Sequence, residues 1–435
     1  MESVIIGVTA LLGLYMAWNI GANDVANSMA DAVGSKALSV KNAVILAGIC
    51  EFAGAVLVGA PVTDTVRKGI VSPDSFLSIP GITPEQAAAL FVIGMTSALL
   101  SAAIWLNVSS FMGLPVSTTH SIVGAVAGFG IAAAGWHSVQ WGKMTQIVLS
   151  WFVSPIAGGI MAFWVFKFIS KAILGQDRPA KAAIKYAPYL VAAVTASVVL
   201  ATIYKGLKHV IGHISWLTPE VSIYITICLS MISWFISRQW LRIRLTGKEK
   251  LPVDQQLDLV EQVFVPLVII TSCSVAFAHG ANDVANSVGP LAAVVRVIQT
   301  GHVVQKVGVP FWVLVLGGGG IVLGLASFGY RVMYTVGMKI TEITPSRGVA
   351  ADLAATATVL VCTRLKLPIS TTHTLVGAIL GIGLARGLAG INRDVANKIF
   401  GAWFITVPAA AVLCVVLFFL GKMYLFDFLT QICTR

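Results

Sequence analysis

Charged side chains are scarce in this chain. They make up 11% of its 435 residues, against roughly 25% in a soluble domain, which excludes an ordinary soluble globular protein. The six cysteines (50, 228, 273, 362, 414 and 433) lie scattered, without CxxC spacing. That pattern argues against a metal cluster or a disulfide framework. The start, Met1-Glu2-Ser3, lacks a basic segment, so residues 3–20 are expected to form a retained span and not a cleaved signal peptide.

What the chain has in quantity is hydrocarbon. It is 57% hydrophobic, with a mean hydropathy of +0.88. Apolar runs of the length needed to cross a bilayer as a helix stand at 3–20, 42–60, 87–106, 145–166, 187–204, 219–237, 262–279, 308–328 and 398–421. The implied fold is an all-α polytopic membrane protein. The net charge of +11 comes largely from two clusters, Lys167 to Lys185 and Arg238 to Lys250, the second just before Asp254, Asp258 and Glu261. Basic juxtamembrane loops mark the cytoplasmic side and meet lipid headgroups, so the partner they imply is the bilayer and not nucleic acid.

Against this background one octapeptide occurs twice. Gly21-Ala-Asn-Asp-Val-Ala-Asn-Ser28 recurs unchanged as Gly280 to Ser287. A second block, Leu114-Pro-Val-Ser-Thr-Thr-His-Ser-Ile-Val-Gly-Ala125, is echoed by Leu367 to Ala378, and smaller matches keep the same order. The chain therefore reads as a whole-unit duplication: a first repeat at 1–175, a linker with two spans and a basic loop at 176–255, and a second repeat at 256–435. Six spans precede the second copy, a count that by itself makes the repeats parallel. Pro115 and Pro368, each followed by hydroxyl residues, mark re-entrant segments and broken helices whose second halves begin near Ser117 and Ser370.

An Asp inside a membrane-type segment is a functional-site signal. On a helix Asn23, Asp24, Asn27 and Ser28 share one stripe, offering carboxylate, amide and hydroxyl oxygens. That is a hard-cation set, well suited to sodium; the Asn and Ser residues serve equally well as interhelical glue. Asp31 continues the stripe, but its counterpart is Pro290. Gly21 and Gly280 allow close backbone approach or local unwinding. The Ser-Thr-Thr blocks place hydroxyls at a helix N-terminus, an anion site or a plain N-cap. His120 and His373 read as packed rings more than as anion partners. Glu51 and Asp352 are further acidic groups at membrane depth, suited to gating, coupling or cation binding, or reaching an interface or a basic partner. Two ionised Asp residues and a dianion cannot share a low-dielectric pocket without cations or protons, which links anion binding to cation binding.

These motifs, with Thr341-Glu-Ile-Thr-Pro-Ser346, resemble the PiT family of inorganic phosphate transporters from residue 21 to the last span. The resemblance implies phosphate uptake coupled to sodium or protons and two inverted repeats with hairpins, which would put the span count off by one. It also implies functional acidic positions at Asp24, Asp283 and Glu51; Asp352 stands where relatives have Glu. The compact 238–261 segment looks prokaryotic and implies a cell (inner) membrane protein. The resulting expectation is a sodium symporter working by alternating access, with no cofactor beyond the coupling ion. Asp24, Asn27, Asp283 and Asn286 are assigned to sodium. Ser117, Thr118, Thr119, Ser370, Thr371 and Thr372 are assigned to phosphate, with Asn23 and Asn282 bridging both, and Glu51 and Asp352 to coupling or gating. Proton coupling or sulfate as cargo remain open alternatives with the same fold, and a homo-oligomer is compatible with it. A passive anion channel would instead call for cationic rings. An intramembrane aspartyl enzyme would not surround its carboxylates with ion-type ligands.

Overall fold

The computed structural model describes residues 2–59, 70–71, 74–203, 218–303, 308–364 and 369–434. Pro368 and the repeat landmarks Thr65 and Val66 lie outside the described residues. Helices account for almost all of the rest: α1 (Glu2–Ser28), α2 (Ala30–Gly34), α3 (Val40–Val58), α4 (Pro84–Phe111), α5 (Thr118–Ala134), α6 (Trp141–Leu174), α7 (Pro179–Ala201), α8 (Pro219–Leu245), α9 (Val253–Asp283), α10 (Ala285–Thr300), α11 (Phe311–Lys339), α12 (Pro345–Arg364), α13 (Thr371–Ala385) and α14 (Arg393–Cys433). Among the described residues nine stretches are long and apolar enough to cross a membrane, with α9 and α10 forming one of them. Each of the nine apolar runs falls on one. The chain is a multi-pass membrane protein.

Local sequence sets the helix ends. Thr83 and Gln86 form a reciprocal capping box ahead of Pro84, satisfying two of the backbone donors that a helix start leaves open. Thr218 caps α8 before Pro219, and the Asn392 amide oxygen accepts from Val395 N at 3.2 Å to start α14. At the far end of α5, Gly135 adopts φ +82°, a conformation that costs a residue without Cβ nothing.

Packing between the halves is reciprocal. The last helix of the first half, α6, lies on α13 and α12, while α14 lies on α5 and α4. Likewise α1 packs on α11, and α9 on α3. Two glycine contacts hold the second pair of interfaces at backbone distance. A Cβ on Gly21 would sit 1.8 Å from the Ile321 carbonyl oxygen, and one on Gly280 would sit 2.3 Å from that of Glu51. Only glycine allows these approaches, and both glycines open an octapeptide.

Candidate functional site

The two octapeptides adopt different backbones. Residues Gly21–Val25 widen into one π-helical turn inside α1, a feature frequent at functional sites. The second copy stays helical through Asp283 and breaks at Val284 before α10. Pro290, where the first repeat has Asp31, has no N–H to donate to the carbonyl of Asn286. The backbone around the second copy is thereby freed by a different device from the first.

From these turns Asp24 and Asp283 face each other across the interior, joined by hydroxyls from both broken helices. Thr118 Oγ1 donates to Asp24 Oδ2 at 2.8 Å, and Thr372 Oγ1 donates to Asp24 Oδ1. Thr119 Oγ1 donates to Asp283 Oδ1 at 3.3 Å. Asn286 Nδ2 closes the network, 3.2 Å from Thr118 Oγ1, 3.1 Å from Thr119 Oγ1 and 3.2 Å from Asp283 Oδ1. The residues that the sequence divides between a cation and an anion thus form one connected cluster, with α1, α5, α9, α10 and α13 all contributing. It borders a cavity of about 40 Å³ lined by Asp24, Asn27, His279, Thr371 and Thr372.

His279 is the member that sequence reasoning missed. Its Nε2 lies 2.9 Å from Asp283 Oδ2 and 3.5 Å from Asp24 Oδ2, and its Nδ1 lies 3.1 Å from Glu51 Oε1. The signal was available: an ionisable residue one turn before Asp283, where the first repeat has Ile20. Glu51 therefore reaches the site through the histidine. Three carboxylates surround one imidazole, so even a doubly protonated ring leaves negative charge over. The donor set fits a hard cation. Asn27 Oδ1 is buried without a hydrogen-bond donor, Asp283 Oδ2 has the His279 ring beside it, and apart from that imidazole the surrounding ligands are oxygens.

Several assigned residues do other work in this conformation. The Asn23 side chain clamps the non-helical segment before α5: its Nδ2 donates to Leu114 O at 2.9 Å and Ser110 Oγ at 3.0 Å, while its Oδ1 accepts from Val116 N at 2.9 Å. Asn282 Nδ2 donates to Ala278 O at 2.8 Å within its own helix. Ser117 and Ser370 are N-caps, accepting from His120 N and His373 N at 3.3 Å. The two histidine rings pack edge to face at 4.8 Å, and His373 stacks on Trp403 at 3.7 Å. Trp403 in turn donates to Pro115 O at 2.9 Å, tying α14 to the first broken segment. Asp352 stands apart from the cluster, beside Asp31.

A model of the phosphate transporter family matches residues 20–414. A Thermococcus kodakarensis protein named "putative phosphate permease" is 46% identical over 411 residues, covering 94% of this chain and 96% of its own length. The Arabidopsis thaliana chloroplastic inorganic phosphate transporter 2-1 is 39% identical over 422 residues, 94% of this chain and 70% of its own. The solved structure of a sodium-dependent phosphate transporter is 40% identical and superposes with a TM-score of 0.82, covering 97% of this chain and all of that one. With the family model matched over most of the chain and relatives this similar over 94% of it, the chain belongs to the phosphate transporter family.

Proposed function

We propose that this chain imports inorganic phosphate by sodium symport across the cell (inner) membrane. The observation that carries the reading is the single cluster in which Asp24 and Asp283 share Thr118, Thr119, Thr372 and Asn286. Asp24, Asp283, Asn27 and Asn286 would hold sodium. Bound sodium draws the carboxylates to itself and frees the threonine hydroxyls, which then donate to phosphate. Without the cation those hydroxyls stay with the carboxylates, and the uncompensated negative charge repels an anion. Cation binding therefore precedes or accompanies anion binding, and the coupling is reciprocal. The reciprocal packing of the two halves around the cluster supports alternating access by movement of one half against the other. The name of the solved relative favours sodium over protons.

The test is labelled phosphate uptake into proteoliposomes, with inward sodium and proton gradients imposed separately and sulfate as competitor. Uptake driven by sodium, indifferent to sulfate and lost in Asp24→Asn and Asp283→Asn is the expected result. Uptake that follows the proton gradient alone overturns the coupling ion, and transported sulfate overturns the cargo.

A further inference from the structure

On the outer face of the bundle, α6 and α14 stand apart over α13 and leave a groove of about 850 Å³. Glycines set its floor. A Cβ on Gly377 would lie 2.3 Å from the Pro155 carbonyl oxygen, and one on Gly381 would lie 2.1 Å from that of Gly159, so α13 is seated backbone to backbone on α6. Exposed apolar side chains such as Ile160, Trp164 and Phe404 form the rims. Among the described residues that line the groove, Arg393 is the one charged group. No described carboxylate pairs with it, and its neighbour Asp394 does not border the groove.

The glycine contacts also give the groove a direction. Pro155 meets Gly377 and Gly159 meets Gly381, one turn further along both helices, so α6 and α13 run parallel. Ile391 packs back against Gly383, which brings the start of α14 to the same end. That end carries the basic Lys167 to Lys185 cluster and is therefore cytoplasmic. Lys167 follows Phe163 by one turn, on the groove face of α6, with its Nζ 5.7 Å from the Phe163 ring centre. At the opposite end Phe152 and Phe404 meet at 6.0 Å and close the groove. From Arg393 to Phe404 the α14 wall rises about 16 Å, half of the roughly 30 Å hydrocarbon core.

An apolar trough one leaflet long, blind at the bilayer middle and cationic at its cytoplasmic mouth, matches a lipid with one negative headgroup. We propose that the groove holds a single phospholipid of the cytoplasmic leaflet, its acyl chain laid over Gly377 and Gly381 and its anionic headgroup at Arg393 and Lys167. A zwitterionic headgroup would bring its own cation to the same mouth and gain less. The bound lipid backs the central site, since α13 starts with Thr371 and Thr372 and the wall residue Trp403 stacks on His373. The assignment depends on membrane embedding alone, not on the cargo or the coupling ion.

The experiment titrates the purified full-length protein in detergent with dioleoyl phosphatidylglycerol or dioleoyl phosphatidylcholine and counts retained lipids by native mass spectrometry. Wild type is expected to retain one phosphatidylglycerol per chain, about fivefold more tightly than phosphatidylcholine. Arg393→Gln should erase that preference, while Arg393→Lys keeps it and Lys422→Gln, toward the other end of α14, leaves it unchanged. Leu384→Trp fills the groove from an exposed floor position with both cations intact. It should lose the lipid of either kind, and it serves if Arg393→Gln fails to fold. Equal retention of the two lipids by wild type overturns the proposal, as does equal phosphatidylglycerol retention by wild type, Arg393→Gln and Leu384→Trp. A lipid-free wild-type dimer that Leu384→Trp dissociates would give the groove to a second copy of the chain and overturn it too.

Discussion

Substituting Gly280 by alanine should disable the central site without touching any of its side chains. The added Cβ would lie 2.3 Å from the Glu51 carbonyl oxygen and 2.9 Å from the Glu51 Cα. Ordinary contact begins near 3.4 Å, so α3 must retreat from α9 by about 1.1 Å. Glu51 travels with α3, stretching its 3.1 Å contact with His279 Nδ1 to about 4.2 Å, beyond hydrogen-bond reach. A hydrogen bond to a charged group contributes about 1.5–3 kcal/mol, which corresponds to roughly a 10- to 150-fold loss of the assembled site. Overpacking adds about 1–3 kcal/mol against folding. The assay is phosphate uptake into proteoliposomes, normalised to monodisperse protein. Gly319→Ala is the control, because a Cβ there meets nothing within 4 Å. Uptake by Gly280→Ala within about twofold of wild type would refute the reasoning, as would an equal loss in Gly319→Ala.

Thr118→Val removes the donor to Asp24 and one acceptor of Asn286 while keeping the volume. The sodium concentration for half-maximal uptake should rise about tenfold, with Thr118→Ser restoring it. Trp403→Phe deletes the bond to Pro115 O but keeps a ring over His373, and should cost about 1 kcal/mol of stability, read as a lower midpoint of thermal unfolding. In the loop between α11 and α12, hydrogen bonding and charge from Arg347, then Arg386, hold the Glu342 carboxyl below its usual value of 4.5. A depressed carboxylate stabilises above the unfolded value, and that contribution disappears as pH falls through the lower folded value. Glu342 is 71% exposed, so solvent screens the pairs. Glu342→Gln should leave thermal stability at pH 7 within about 1 kcal/mol of wild type, and a larger loss would mean that these pairs are structural.

Features that act one residue or one turn at a time were legible before any tertiary contact was known. Nine apolar runs became nine membrane-length helices because the cost of burying backbone and charge in hydrocarbon is set locally, by the residues of each run. The repeated octapeptide and the Ser-Thr-Thr blocks identified Asp24, Asp283 and the threonines as polar groups at membrane depth, and the helix starts at Thr118 and Thr371 followed from Pro and Ser beside them. Gly21 and Gly280 were legible as points of close approach, though not the helices they approach. Which groups meet depended on the packing of distant helices. His279 and Glu51 are 228 positions apart, and Asp31 and Asp352 lie on helices from opposite halves of the chain, so no local pattern could pair them. The same limit governs Ser117, Ser370 and Asn23. A hydroxyl or an amide at a helix start can equally bind a ligand, cap a backbone or hold a neighbouring loop, and residue type is common to all three. Only the placement of partner atoms within about 3 Å selects among them, and packing between the two halves makes that placement.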